Sequence, residues 1–114
     1  MSVVIYHNPR CSKSRQALTL LEQEGIQPEI VEYLNTPPTA EQLDSILTAL
    51  GKEPEELLRK GEDEYKEHFK GKKLTRSETI ALMVKFPKVI ERPIVVNGNK
   101  AALGRPPEDV LAVL

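Results

Sequence analysis

The sequence predicts an α/β protein in which a mixed four-stranded sheet is flanked by helices, and three observations carry that prediction. A β-branched apolar run, "VVIY" at Val3 to Tyr6, leads through "NPRCS" into a pattern of helical period. A central block, about residues 38–88, shows helical periodicity alone. After it, "PIVVNGNKAAL" holds two short apolar runs about Asn97-Gly98, the strongest short-range hairpin signal. Strand, helix, strand, helical insertion, strand, strand and helix together require both parallel and antiparallel pairing.

Taken in order, Val3 to Tyr6 is the first strand, and Ala17, Leu18, Leu20 and Leu21 form the apolar stripe of the helix that follows, with Gly25 as its stop signal. "EIVEY" at Glu29 to Tyr33 is the second strand. A strand–helix–strand unit of this length is parallel and crosses over right-handed. Pro37-Pro38 blocks upstream helix, and Thr39 with Gln42 has capping-box spacing, so a helix opens there with Leu43, Ile46, Leu47 and Leu50 on one face and Gly51 at its end. "EPEELLRK" predicts a further short helix ending near Arg59. The charged stretch from Lys60 to Lys73 predicts a solvated helix or loop, and His68 within it is no site candidate. Thr75 and Glu78 repeat the capping-box spacing ahead of Ile80, Leu82, Met83 and Val84, and that helix ends at Phe86 before Pro87. "EDVLAVL" closes the chain as a helix with Pro106 or Pro107 in its first turn.

A chain of 114 residues supports one hydrophobic core, so a single domain over 1–114 is expected, with the helical insertion inside it. Sixteen Lys and Arg against 17 Asp and Glu leave a net charge of -1, which offers no global attraction to nucleic acid or to an anionic membrane. Neither partner is expected, and any anion site must be local. One cysteine excludes an internal disulfide, and "MSVVIYHN" has neither the basic start nor the apolar run of a secretory signal, which points to a reducing cytoplasm.

That one cysteine, Cys11, sits at the start of a helix among His7, Arg10, Lys13 and Arg15. A thiol reacts as thiolate, and a helix N-terminus or neighbouring cations lower its pKa from about 8.5 into a range of roughly 3.5 to 7.5. With a helix beginning near Ser12, the first-turn N–H groups point toward the sulfur, and the same groups bind oxyanions. The turn is therefore suited to holding an anion while presenting a nucleophile to it. Ser14 stands where a second cysteine would complete Cys-x-x-Cys, so no intramolecular dithiol chemistry is available. Two readings of Ser14 remain: a first-turn cap, or a hydroxyl hydrogen-bonded to the Cys11 thiolate. His7 is likewise either a turn residue satisfied by backbone or a group that orients and supports Cys11. His7, Cys11 and His68 fall short of the four ligands of structural zinc. A phosphatase-type loop is excluded, because three residues separate Cys11 from Arg15 where such loops have five.

"HNPRCSKSR", "LLRK", "ERPIVV" and "LGRPPE" together resemble the glutaredoxin-linked arsenate reductase (ArsC) family along essentially the whole chain. The resemblance implies a thioredoxin-like fold with an inserted helical subdomain and a cis peptide bond before Pro93. It also implies that His7, Asn8, Pro9 and Cys11 form the motif around the catalytic cysteine. Ser14 matches its helix-start serine, and Arg59, Arg92 and Arg105 match three arginines that bind the oxyanion. Asn8, Arg10 and Ser12 of the Cys11 loop are further expected substrate-binding residues. Guanidinium groups suit the task because each stays charged and donates paired hydrogen bonds. The implied reaction forms a thiol-bound As(V) adduct on Cys11, with glutathione as co-substrate, glutaredoxin as partner and no tightly bound cofactor. Rival readings are a thioredoxin-fold regulator that binds RNA polymerase and a glutathione-dependent thiol oxidoreductase with another substrate. Ser14 disfavours the first, since such regulators commonly switch through Cys-x-x-Cys, and the arginine trio disfavours the second.

Overall fold

The computed structural model describes residues 3–114, and the chain divides into two compact units. One combines the chain up to Thr36 with Arg92–Leu114; the other is Pro37–Glu91, against an expected insertion of about 38–88.

The first unit is built on a sheet of β1 (Val3–His7), β2 (Glu29–Glu32), β3 (Ile94–Asn97) and β4 (Lys100–Leu103), in the order β2-β1-β3-β4. Helix α1 (Ser12–Gln23) connects the parallel pair β1 and β2, in which Ile5 lies opposite Ile30. The pairs β1–β3 and β3–β4 are antiparallel, with Ile5 opposite Val95 and Val95 opposite Ala102. Strand side chains alternate between faces, so this row directs Ile5 and Val95 to one side of the sheet. There they join Ala17 and Leu21 of α1 and Val110 and Val113 in a buried cluster, with Val3, Leu18, Ile26 and Ala102 packed around it. Each large side chain so buried contributes about 1.5–3 kcal/mol.

The last two residues of that cluster belong to the C-terminal segment, which forms a 3-10 helix over Pro107–Val113 rather than the expected α-helix. Three residues per turn place Pro107, Val110 and Val113 in one row, and all three are buried. An α-helical pitch would spread them around the axis, so packing selects the tighter form. The hairpin turn also differs by one residue from its expected position. The strands pair through Asn97 and Lys100, which makes Gly98 and Asn99 the two loop residues, with Gly98 at φ 63°. A positive φ at the first loop position is what glycine supplies. Asn97 remains in the strand, and its Nδ2 donates to the Val113 carbonyl at 2.7 Å.

Register decides where the functional loops meet. Tyr6 opposes Ile94, and Ile94 opposes Leu103. The end of β1, the start of β3 and the end of β4 therefore share one edge of the sheet, which gathers the loops holding Cys11, Arg92 and Arg105.

The second unit contains α2 (Ala40–Leu50), α3 (Asp63–His68) and α4 (Arg76–Lys85). Both expected capping boxes form, Thr39 with Gln42 and Thr75 with Glu78, and Gly51 closes α2 in the left-handed conformation at φ 68°. Helix α2 packs on α4, burying Leu43, Ile46 and Leu47 on one side and Thr79, Ile80 and Met83 on the other. Thr79 is tolerated there because its hydroxyl donates to the Thr75 carbonyl at 2.9 Å. "EPEELLRK" forms a 3-10 turn only over Pro54–Leu57. Leu58 is then extended and bridges Ile90, and the Arg59 N–H donates to the Val89 carbonyl at 2.6 Å. Burial of both Leu57 and Leu58 explains the change, since adjacent residues are better buried together in an extended segment than on one helix face. The charged stretch is anchored more firmly than its composition implied. Phe69 is buried, Tyr65 stacks on it at 5.9 Å, and His68 stacks on Phe86 at 4.1 Å.

Candidate active site around Cys11

The Cys11 loop is closed by its own backbone. After β1 the chain turns so that the Cys11 N–H donates to the Asn8 carbonyl at 2.9 Å, while the Asn8 side-chain oxygen accepts from the Arg10 N–H at 3.0 Å. This Asx-type arrangement suits the Asn-Pro pair. Cys11 is thereby the N-cap residue of α1, extended at φ −93° and ψ 123°. Its sulfur makes no regular cap hydrogen bond, and the first turn has no acidic residue.

The Cys11 side chain is only 8% exposed. Burial pushes the thiol up. Opposing it, the backbone amide of Ser14, the Arg92 guanidinium, the amide of Lys13 and the Arg105 guanidinium all favour the thiolate, and together they hold Cys11 below its ordinary value. The amides act as the positive end of the helix even without cap geometry.

Arg92 and Arg105, on the loops before β3 and after β4, act on the sulfur through their charge. The Arg92-Pro93 bond is cis, as the resemblance implied; the Arg105-Pro106 bond is also cis, which the sequence did not reveal. Arg105 Nε donates to the Arg92 carbonyl at 2.9 Å, and the Arg92 side chain buries its Nε and Nη1. Between them, the Gly104 N–H donates to the Pro93 carbonyl at 2.8 Å. A Cβ at Gly104 would lie 2.7 Å from Pro93 Cγ, so glycine serves here for close approach of the two loops.

Ser14 is fully buried. Ser14 Oγ lies 2.6 Å from His7 Nδ1 and accepts the Asn8 N–H at 3.0 Å. The hydroxyl ties β1 to α1 through these two bonds, and Ser14 acts on Cys11 through its backbone amide. Burial lowers the pKa of His7, Glu32 opposes that, and Arg15 adds to the lowering, so the neutral imidazole is favoured.

Arg10, Ser12 and Lys13 are exposed around the loop. Arg15 is a positioning residue that the motif comparison passed over: its Nη1 donates to the Pro9 carbonyl at 2.8 Å and bridges α1 to the Cys11 loop. The signal was its place four residues after Cys11, on the same helix face. Arg59 belongs to the second unit, where Nη1 lies 3.0 Å from Glu62 and Nε 3.5 Å from Glu91. Among the described residues, no three His, Cys, Asp or Glu side chains are grouped to hold a metal ion, and no helix is long and apolar enough to cross a membrane.

A nucleophile at an uncapped helix start, faced by two guanidinium groups, is equipped to bind an oxyanion and attack it. Known proteins share this chain's sequence and fold. The Haemophilus influenzae protein named arsenate reductase is 45% identical over 116 residues, covering all of both chains. Escherichia coli YfgD, named an uncharacterized protein, is 50% identical across 98% of this chain and 96% of its own. The solved structure of arsenate reductase from Vibrio cholerae superposes with a TM-score of 0.94 at 49% identity, covering 100% of this chain and 98% of that one. The four-stranded mixed sheet is thus that of a thioredoxin-like fold. The sequence profile of the ArsC family matches residues 6–113, and with these relatives it establishes that the chain belongs to the ArsC family.

Proposed function

We propose that the protein reduces arsenate to arsenite, using glutathione and glutaredoxin as the source of electrons. The observation that supports this most directly is the Cys11 thiol, held low at the start of α1 by backbone amides and by Arg92 and Arg105. A tetrahedral oxyanion placed there meets the helix N-terminus and charged donors at once.

In the first step the Cys11 thiolate attacks arsenic and water leaves, forming a Cys11–S–As(V) bond without change of oxidation state. Arg92 and Arg105 neutralise the oxygens. The chain has no second cysteine, so the reducing thiols come from outside. Glutathione displaces a second oxygen as water, giving arsenic bound to both sulfurs. A glutaredoxin thiolate then attacks the glutathione sulfur. The S–As bond pair passes to arsenic, As(V) becomes As(III), and a glutaredoxin–glutathione disulfide leaves. Water releases arsenite and restores the Cys11 thiol. Two thiols are oxidised to one disulfide for each arsenate reduced, which balances the two electrons gained by arsenic.

In this reading Arg59 is the third oxyanion ligand, as the family motif implies, with Asn8, Arg10 and Ser12 contributing from the loop. The reaction needs no tightly bound cofactor and takes place in the cytoplasm, where reduced glutathione is abundant. The test is arsenite production in a mixture of protein, arsenate, glutathione, glutaredoxin and glutathione reductase with NADPH. Arsenite formation and arsenate-dependent NADPH oxidation are expected, both lost in Cys11→Ser. No arsenite from the parent protein under these conditions would refute the reading.

A further inference from the structure

An open groove of about 430 Å³ runs along α1, lined by Ser12, Arg15, Gln16, Thr19, Leu20, Gln23 and Glu108. The helical residues recur at spacings of three and four and so form one stripe down α1. Glu108 enters from the C-terminal 3-10 helix. We propose that this groove seats glutathione, with its thiol toward Cys11. The proposal rests on the reading of the reaction given above and adds the place where the co-substrate binds.

The location suits the task. The stripe begins at Ser12, next to Cys11, and Arg15 is already bonded to the Pro9 carbonyl of the Cys11 loop at 2.8 Å. A chain without a second thiol must admit one from outside beside its own, and this groove begins at the residue that follows Cys11. Its size fits a small ligand, since such sites span about 300–1,000 Å³. Its length suffices as well: with a helical rise of about 1.5 Å per residue, Ser12 to Gln23 covers about 16 Å, more than the reach of about 10 Å of an extended tripeptide.

The lining also matches the ligand's charges. Glutathione carries two carboxylates and one ammonium group, joined by amides. Arg15 has one nitrogen engaged by Pro9 and keeps further donors for a carboxylate. Glu108 is the anion for the ammonium. The carboxamides of Gln16 and Gln23 both donate and accept, as peptide groups require.

The experiment is a 1H–15N NMR titration of the full chain with S-methylglutathione, which keeps the charges and cannot react through sulfur. Saturable shifts are expected on the amides of Gln16, Thr19, Gln23 and Glu108. Arg15→Ala should weaken binding about tenfold, the effect of one lost charge-assisted hydrogen-bonded pair, and Arg15→Lys should restore part of it. Glu108→Gln, away from the Cys11 loop, should weaken it about threefold, as for an exposed ion pair. In turnover, Glu108→Gln should raise KM for glutathione and leave KM for arsenate unchanged. Absent shifts, shifts confined to other surfaces, or undiminished binding in both Arg15→Ala and Glu108→Gln would overturn the proposal. Binding in the groove without arsenate reduction would uphold the site and reject the reaction; reduction without binding there would do the reverse.

Discussion

The start of α1 and the starts of α2 and α4 meet the same physical problem in opposite ways. Every α-helix begins with N–H groups that lack intrahelical partners. In α2 and α4 a threonine and a residue three positions on close the end reciprocally, through Thr39 with Gln42 and Thr75 with Glu78. In α1 the equivalent position is Cys11, without a side-chain cap bond and without an acidic residue in the first turn. The charges around the cations differ between the two units as well. Arg92 and Arg105 act on Cys11, whereas in the second unit Arg59 faces Glu62 and Glu91, and Arg76 faces Asp44 and Glu53. The starts of α2 and α4 are capped, while α3 begins at Glu62 without a side-chain cap bond. At α1 the amides of Lys13 and Ser14 act instead on the Cys11 sulfur and favour its thiolate.

The sharpest way to break this contrast is to cap α1. Serine is among the best N-cap residues, so Cys11→Ser should raise stability by about 0.5–1 kcal/mol while lowering arsenate turnover at least about a thousandfold. Denaturant melts and the coupled assay measure the two effects, and a variant that is both less stable and still active would dissolve the distinction.

Next in size is the removal of the cations at Cys11. Arg105→Ala should cost about 100- to 1,000-fold in turnover, by analogy with loss of one anion-stabilising donor, and Arg105→Lys should recover little because the planar fork is gone. The pH dependence of alkylation gives an independent reading: the midpoint of the Cys11 rate should lie below that of an ordinary thiol in the parent and move upward in both Arg92→Ala and Arg105→Ala.

Ser14→Ala addresses the other buried polar pair. It leaves His7 Nδ1 and the Asn8 N–H without the Ser14 hydroxyl and should cost about 1–3 kcal/mol. The alkylation midpoint of Cys11 should stay near the parent value, because the Ser14 amide persists. A large rise in that midpoint would mean that the hydroxyl acts on the sulfur after all.

Smaller effects belong to the capped helices. Thr39→Ala and Thr75→Ala should each cost about 1 kcal/mol with thiol reactivity unchanged. A related shift appears in the pH dependence of stability. Since folding lowers the Cys11 pKa, the thiolate contributes stability that is fully present above the unfolded thiol's pKa and lost as pH falls through the folded one. The difference in Tm between the parent and Cys11→Ala should therefore move in the parent's favour as pH rises from neutral toward about 9. A difference constant with pH would show that Cys11 is not ionised more readily in the folded state.

Much of this was legible in the amino-acid order. The capping boxes, the hairpin, the placement of Cys11 at the head of α1 and the order of elements all depend on neighbours within about one helical turn or one strand pair, and such patterns are written locally. Where expectations shifted, packing was the cause. The C-terminal segment took 3-10 form because that pitch aligns Pro107, Val110 and Val113 against the core. Leu58 left the expected helix to bridge Ile90.

The sequence by itself determined that a single thiol begins a helix in a mixed α/β protein. Only the tertiary structure decided which groups surround that thiol. The Ser14 hydroxyl turns to His7, Gly104 is required by its approach to Pro93, and Arg105 bonds the carbonyl of Arg92. These residues are distant along the chain, and no local period relates them. They meet because Tyr6 opposes Ile94 and Ile94 opposes Leu103, so the register of the sheet carries three separate loops to one edge. A one-residue slip in either pairing would turn the core face of a strand outward. The burial of Ile5 and Val95 therefore fixes the register, and with it the cations that face Cys11.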